Sequence, residues 1–161
     1  VLLTEHEDFL LYNIYFPNGQ KDETRLKYKL DFYDDLLPII NEQVESGSNV
    51  IVAGDWNTAH YPIDLARPKE NVKTSGFMPI EREKLDDYVN DGWTDTFRLF
   101  NNEPEKYSWW SYRMGARARN VGWRIDYFFV NSDFSDLCKN ADIHQDVMGS
   151  DHCPVSLELD L

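Results

Sequence analysis

Only two cysteines, Cys138 and Cys153, occur in 161 residues, so no disulfide framework holds this chain and a reducing, cytoplasmic setting is expected. No apolar run approaches the ~20 residues of a membrane-spanning helix, and no signal-peptide pattern opens the chain, so no membrane partner is expected. Internal repeats and low-complexity linkers are lacking as well. Basic residues are scarce: 16 Lys and Arg stand against 29 Asp and Glu, for a formal net charge of -13. As a sum, that charge has the wrong sign for a nucleic-acid-binding protein. What the chain does have is apolar and aromatic content, 42% and 14%, enough for one domain with a packed core over residues 1–161.

The distribution of charge says more than its sum. Between Tyr107 and Ile125 lie Arg113, Arg117, Arg119 and Arg124 without a single acid, and residues 66–75 add Arg67, Lys69 and Lys73 against Glu70 alone. The acids crowd into 22–45, 81–91 and 133–146, as solvated helix faces would. The basic loops are either ordinary surface arginines and lysines or a patch that steers a polyanion to one side of an acidic body.

Residues 8–16 read as a strand stopped by Pro17-Asn18-Gly19. Leu26, Leu30, Tyr33, Leu37, Ile40 and Val44 recur at helical spacing over 23–45, with Pro38 expected to kink or split the helix and Gly47 to end it. The continuous apolar run at 49–53 suits a strand covered on both faces, followed by Gly54-Asp55-Trp56-Asn57 at its carboxyl end. Residues 58–77 read as a long loop and 79–91 as a second helix. Strands are expected at 107–112 and 124–130 around the basic stretch 113–123, then a short helix at 134–137 and strands at 143–147 and 154–159. That order points to an α/β layer with a mixed or largely antiparallel sheet.

Three constellations carry chemistry. Asp55 and Asn57 stand two apart past a strand, so a carboxylate that orients or deprotonates water can sit beside an amide that donates to a phosphoryl oxygen. An Asx-type turn capping the strand explains the same spacing. Asp151-His152 opens the last strand. Adjacent strand residues face opposite ways, so Asp126 is the better orienter of His152, and Asp151 is free to hold a hard cation such as Mg2+ or Mn2+. Trp109, Trp110 and Trp123 bracket the arginine stretch, where they either stack on a base or sugar or pack the core; alternation should bury one of Trp109 and Trp110.

Several stretches, nearly end to end, match one family in order: residues 13–19 (NIYFPNG), 54–60 (GDWNTAH), 63–65 (IDL), 76–82 (GFMPIER), 107–113 (YSWWSYR), 120–127 (NVGWRIDY) and 149–155 (GSDHCPV). On these the chain resembles the exonuclease III family of abasic-site endonucleases, within the endonuclease/exonuclease/phosphatase group. The resemblance implies a DNA repair hydrolase of base excision repair: Mg2+-dependent phosphodiester cleavage in double-stranded DNA at abasic sites and 3′ ends. It makes Tyr15 a phosphate-site residue and Asn18 its DNA-positioning neighbour. Asp55 would activate water and Asn57 contact the scissile phosphate, both near the metal. His152, backed by Asp126, would stabilise the pentacovalent transition state, and Asp151 would join the metal site. Asn71, Lys73, Arg113 and Arg117 become DNA contacts, with Arg113 as the duplex-inserting side chain, while Trp109 and Trp123 would wall the pocket for a flipped-out abasic sugar.

The family fold is a four-layer α/β/β/α sandwich, DNase I-like, of which this chain resembles roughly the second half: one mixed, mostly antiparallel sheet with helices on one face. An asparagine and a metal-binding glutamate that precede the Tyr15 stretch in the family have no counterpart here, and Thr74 stands where some relatives have asparagine. The isolated chain is therefore expected to turn over weakly or not at all, with a catalytically silent DNA-binding or assembly fragment as the alternative. Hydrolysis of phospholipids or inositol phosphates is disfavoured by the tryptophans, Arg113 and Asn71, which address duplex DNA. The sheet face that meets the other half should be apolar, so pairing with a second copy or with an N-terminal portion is expected.

Overall fold

The computed structural model describes all of residues 1–161. Strands β1 (Leu2–Glu5) and β2 (Leu10–Tyr15) form an antiparallel hairpin, followed by helix α1 (Glu23–Glu45) and strand β3 (Val50–Asp55). Two short helices, α2 (Pro68–Asn71) and α3 (Pro79–Asn90), precede β4 (Trp93–Asp95) and α4 (Thr96–Phe100). The two-residue strands β5 (Trp109–Trp110) and β6 (Gly122–Trp123) pair with each other, and β7 (Asp126–Asn131), β8 (Cys138–Ile143) and β9 (Val155–Leu159) complete the chain. The main sheet runs β1-β2-β3-β7-β4, antiparallel throughout except for the parallel β2/β3 pair. This is the mixed, mostly antiparallel α/β architecture expected from the sequence.

Alternation along three strands builds the core. Tyr12 and Ile14, Val50 and Val52, and Tyr127 and Phe129 point to one face, where Tyr33, Leu36 and Ile40 of α1 and Leu85 and Tyr88 of α3 cover them. The β-branched run Val50-Ile51-Val52 is buried on both faces, as a continuous apolar strand should be. Asp22 caps α1 by accepting from the Arg25 amide at 2.8 Å. Pro38 does not split α1. It lies on the exposed side, where water can satisfy the carbonyl that loses its donor.

The opposite sheet face carries a small second sheet rather than standing bare. The β8–β9 ribbon packs Leu157 and Leu159 against Ile51, Val130 and Phe134, leaving Leu11 and Phe128 half-buried beside them. The strand expected at 143–147 lies at β8 instead. β8 holds mostly polar residues and buries only Ala141 and Ile143, so its pairing with β9, not its β-propensity, makes it a strand. The expected strand at 107–112 contracts to Trp109–Trp110, and β1, β4 and α4 are further elements too short to announce themselves by periodicity. No helix is long and apolar enough to cross a membrane.

Candidate active site

Strand register assembles the site. Tyr15 of β2 stands opposite Asp55 of β3, which stands opposite Asp126 of β7, so three chemically capable side chains end side by side on the face away from α1. Gly54 makes the close approach possible: with φ +135°, a Cβ there would lie 1.9 Å from the Ile14 carbonyl oxygen. Beyond Asp55 the chain turns at Asn57, which takes a left-handed φ of 53°. The Asn57 amide N–H donates to Asp55 Oδ1 at 2.9 Å, the Asx turn itself, and the Asn57 side chain still faces the site. Turn and site are one object here. Asn57 Nδ2 donates to the Phe16 carbonyl at 2.9 Å and to Asp55 Oδ2 at 3.2 Å, so a phosphoryl oxygen reaching this amide would displace the longer bond.

His152 comes from a different part of the chain, bridged to Trp109 at the start of the last strand pair. Its Nδ1 lies 2.9 Å from Asp126 Oδ2, and its Nε2 faces Asp55 Oδ2 at 3.9 Å. Ser108, which the sequence reading had not marked, fixes Asp126: its hydroxyl donates to Asp126 Oδ2 at 2.6 Å while accepting the Ile125 and Asp126 amides at 3.1 Å. Asp151 accepts from Trp109 Nε1 at 3.1 Å and from the Ser150 hydroxyl at 3.3 Å.

These partners set the charges. Burial, followed by repulsion from Asp126, pushes the Asp55 carboxyl up to about 6, against pull-down by the Asn57 amide, His152 and Lys29. Burial on its own would depress the His152 imidazole, but the Asp126 hydrogen bond and the surrounding carboxylates outweigh it and raise the pKa. Asp151 is shallow enough that its small burial penalty loses to the Trp109 hydrogen bond, and it stays below the usual carboxylate range. The result is a carboxyl raised to about 6 beside an imidazole that Asp126 biases toward its protonated form.

A cleft of about 840 Å³ opens over this group, walled on the pocket side by Trp109 and Trp123. Tyr15, Asn18, Asn57, Asn71, Arg113 and Asp151 also reach it, and Asp126 stands behind His152. Trp110 is the buried member of its pair at 2% exposure, while Trp109 faces the cleft. Asn71 donates to the Arg67 carbonyl of its own short helix at 3.0 Å. Lys73 lies outside the cleft, on a neighbouring groove with Gln20 and Thr74.

Two arginines of the basic stretch have their guanidinium groups tied up within the chain. Arg124 is fully buried, with Nε on Asp64 Oδ1 at 2.8 Å and both terminal nitrogens on Asp95 at 3.0 and 2.6 Å. Arg117 spends its guanidinium on backbone carbonyls and lies outside the cleft. Of the 107–125 stretch Arg113 and Arg119 stay exposed, and Arg67 from the other basic segment joins Arg113 at the cleft.

A buried ion pair lies under the turn. Lys29 Nζ donates to the Asn57 carbonyl and to Glu81 Oε1, both at 2.7 Å, and Glu81 in turn accepts the Gly76 and Met78 amides that border the cleft. A lysine at helical spacing gives no sequence signal of this.

The donors Asp55, Asn57 and Asp151 are hard oxygens, the class that suits Mg2+ or Mn2+. Burial first and Asp126 second raise the Asp55 pKa, and a divalent cation would offset the negative charge of that pair. The chemistry of the donors fits the ion, but no three His, Cys, Asp or Glu side chains of this chain converge into a shell.

The model of the Endonuclease/Exonuclease/phosphatase family matches residues 3–152. An exodeoxyribonuclease of Bacillus subtilis is 41% identical over 162 residues, covering 100% of this chain and 64% of that protein. A DNA-(apurinic or apyrimidinic site) endonuclease of Dictyostelium discoideum is 39% identical over 164 residues, covering 100% of the chain and 45% of that protein. The chain thus spans less than two thirds of the length of these curated relatives. Among solved structures, a 3′ phosphatase from Neisseria bound to a product DNA hairpin superposes with a TM-score of 0.92 at 24% identity, over 99% of this chain and 64% of that one, a likeness of fold.

Proposed function

Because the chain belongs to the endonuclease/exonuclease/phosphatase family, we propose that it is the C-terminal part of a DNA repair nuclease that hydrolyses phosphodiesters at abasic sites and 3′ ends. The observation that carries this reading is the Asp126–His152 pair at 2.9 Å facing Asp55 at 3.9 Å across a cleft floored by Asn57.

Asp55, with its carboxyl raised to about 6 and so mostly ionised at neutral pH, accepts a proton from the attacking water. His152, biased toward its protonated form by Asp126, presents Nε2–H to the phosphoryl oxygen as charge builds in the pentacovalent transition state. The Asn57 amide and the Tyr15 hydroxyl hold the phosphate, and Trp109 and Trp123 accept the baseless sugar. Asn18, Asn71, Lys73 and Arg113 contact the flanking duplex. Asp151, Asp55 and Asn57 hold a divalent cation, Mg2+ or Mn2+, which when bound offsets the developing phosphoryl charge. With no three-carboxylate shell in this chain, cation binding is weak and turnover slow. The half-covered sheet face and the exposed Leu2 and Leu3 of edge strand β1 favour pairing with an N-terminal portion or a second copy. Two free cysteines support a reducing, cytoplasmic setting.

Incubation of the chain with abasic duplex and Mg2+ tests the reading. Slow nicking is expected, lowered roughly 100-fold or more by Asp55→Ala or His152→Ala. Nicking that survives both substitutions refutes it, and salt-dependent duplex binding with no nicking at all would leave only the DNA-binding alternative.

A further inference from the structure

Arg117 holds two loops together. Its Nη1 donates to the Ser150 carbonyl at 2.7 Å, and its Nη2 donates to the Gln145 and Val147 carbonyls at 2.9 and 2.6 Å. The guanidinium lies 4.5 Å over the Trp110 ring, and Nε is buried without a partner. Arg117 sits in the arch that carries Arg113 at the cleft, and the three carbonyls belong to the exposed turn running directly into Asp151 and His152. Within that turn the Gln145 amide donates to the Ile143 carbonyl and the Val147 amide to the His144 carbonyl, both at 3.0 Å, with Gly149 at φ +121° just before Ser150. Asp151 and His152 are themselves tied to the Trp109 side by Trp110 N–H to the Asp151 carbonyl at 2.9 Å and Cys153 N–H to the Ser108 carbonyl at 2.8 Å, so the clamp acts on the 145–150 approach to them.

We propose that Arg117 is a positioning residue, a three-carbonyl clamp that fixes the 145–150 turn and so sets where Asp151 and His152 stand in the cleft. Its guanidinium geometry is required, because a planar fork spans several acceptors at set angles where an ammonium offers one point charge. The functional meaning of the clamp rests on the nuclease reading above; the clamp itself does not.

Arg117→Lys and Arg117→Gln test it in the 161-residue chain. In both variants the Val147 and His152 amides should exchange hydrogen at least roughly tenfold faster, with α1 and β3 amides unchanged. The proton that His152 Nδ1 shares with Asp126 should broaden or vanish from the downfield NMR spectrum in both. Nicking of abasic duplex should fall in kcat more than in KM, without rescue by lysine, and the salt slope of duplex binding should stay at its wild-type value. Unchanged exchange and an unchanged His152 proton overturn the proposal. Rescue by lysine, or a salt slope shallower by about 0.9, also overturns it and makes Arg117 a phosphate ligand. If the wild-type chain neither binds nor nicks DNA, the nuclease reading falls while the exchange and proton measurements still decide the clamp.

Discussion

Replacing Asp55 with asparagine keeps the side chain's shape and removes a charge that folding holds at a cost. The carboxyl titrates at about 6 instead of 3.8, first through burial and then through Asp126, with its side chain only 14% exposed. A rise of about two units is about 3 kcal/mol of native stability lost once the group ionises. The sign follows from proton binding. Between those two values the folded protein keeps a proton that the unfolded chain has released, so stability falls as pH climbs through the window and the whole cost is present above it. Asparagine also gives up the bond from Asn57 Nδ2 at 3.2 Å, worth about 1 kcal/mol. Asp55→Asn should therefore be more stable than wild type by about 2 kcal/mol near pH 8, and less stable by about 1 kcal/mol near pH 4. Urea unfolding in EDTA, followed by tryptophan fluorescence at both pH values, measures the difference. An equal change at the two pH values would show that Asp55 is not destabilised by its surroundings, and the idea of a proton acceptor poised near neutrality would go with it.

Lys29→Met strands the Glu81 carboxylate at zero exposure and should cost about 3 kcal/mol, the low end for a broken buried pair because Glu81 keeps its Ser75, Gly76 and Met78 donors. Adding Glu81→Gln should restore most of that; a double variant no more stable than the single would show that the pair is not electrostatically coupled. Gly54→Ala places a Cβ 1.9 Å from the Ile14 carbonyl at a φ of 135°, so it should destabilise by more than about 3 kcal/mol and loosen the β2/β3 pairing, visible as lost amide protection at Ile14 and Asp55. Asp126→Asn removes the partner that raises His152. That stabilisation is present below the unfolded imidazole value of about 6.5 and fades as pH rises through the raised folded value, so thermal unfolding should show a loss of about 1–2 kcal/mol near pH 5 that shrinks near pH 9.

Where a signal is local, the sequence already carries it. The Val50–Val52 run, the Gly54–Asn57 turn and the alternation that buries one of Trp109 and Trp110 each depend on neighbours within a few residues, and they stand where they were expected. His152 facing Asp126 was legible through a simple parity argument about strand neighbours. What was not legible depends on partners far along the chain. Arg124 reads as one more cation in a basic stretch until Asp64 and Asp95, from two other segments, close on it. Arg117 reads as a free cation until the carbonyls of the 145–150 turn take its guanidinium. Lys29 sits among Leu26, Leu30 and Tyr33 like any polar helix position, and its partner Glu81 is 52 residues away. Counting charges assumes that they are solvated, and here the most consequential ones are not.

The same distinction explains why the chemistry sits at strand ends. Tyr15, Asp55 and Asp126 share a face only because β2, β3 and β7 are in one particular register, and side chains alternate with a period of two. A one-residue slip of β7 against β3 would turn Asp126 toward α1 and bring Phe128 into the helix-side core in place of Tyr127 and Phe129. That slip exchanges a well-packed aromatic cluster, with Trp56 stacked on Phe16 at 4.2 Å and Phe129 beside it at 4.6 Å, for a buried carboxylate. Burying that charge without a partner costs several kcal/mol, so the aromatic core selects the register. The polar residues contribute the reactivity and the apolar ones opposite them fix its geometry, which is why Gly54, Val52 and Tyr127 bear on the candidate chemistry as directly as Asp55 and His152 do.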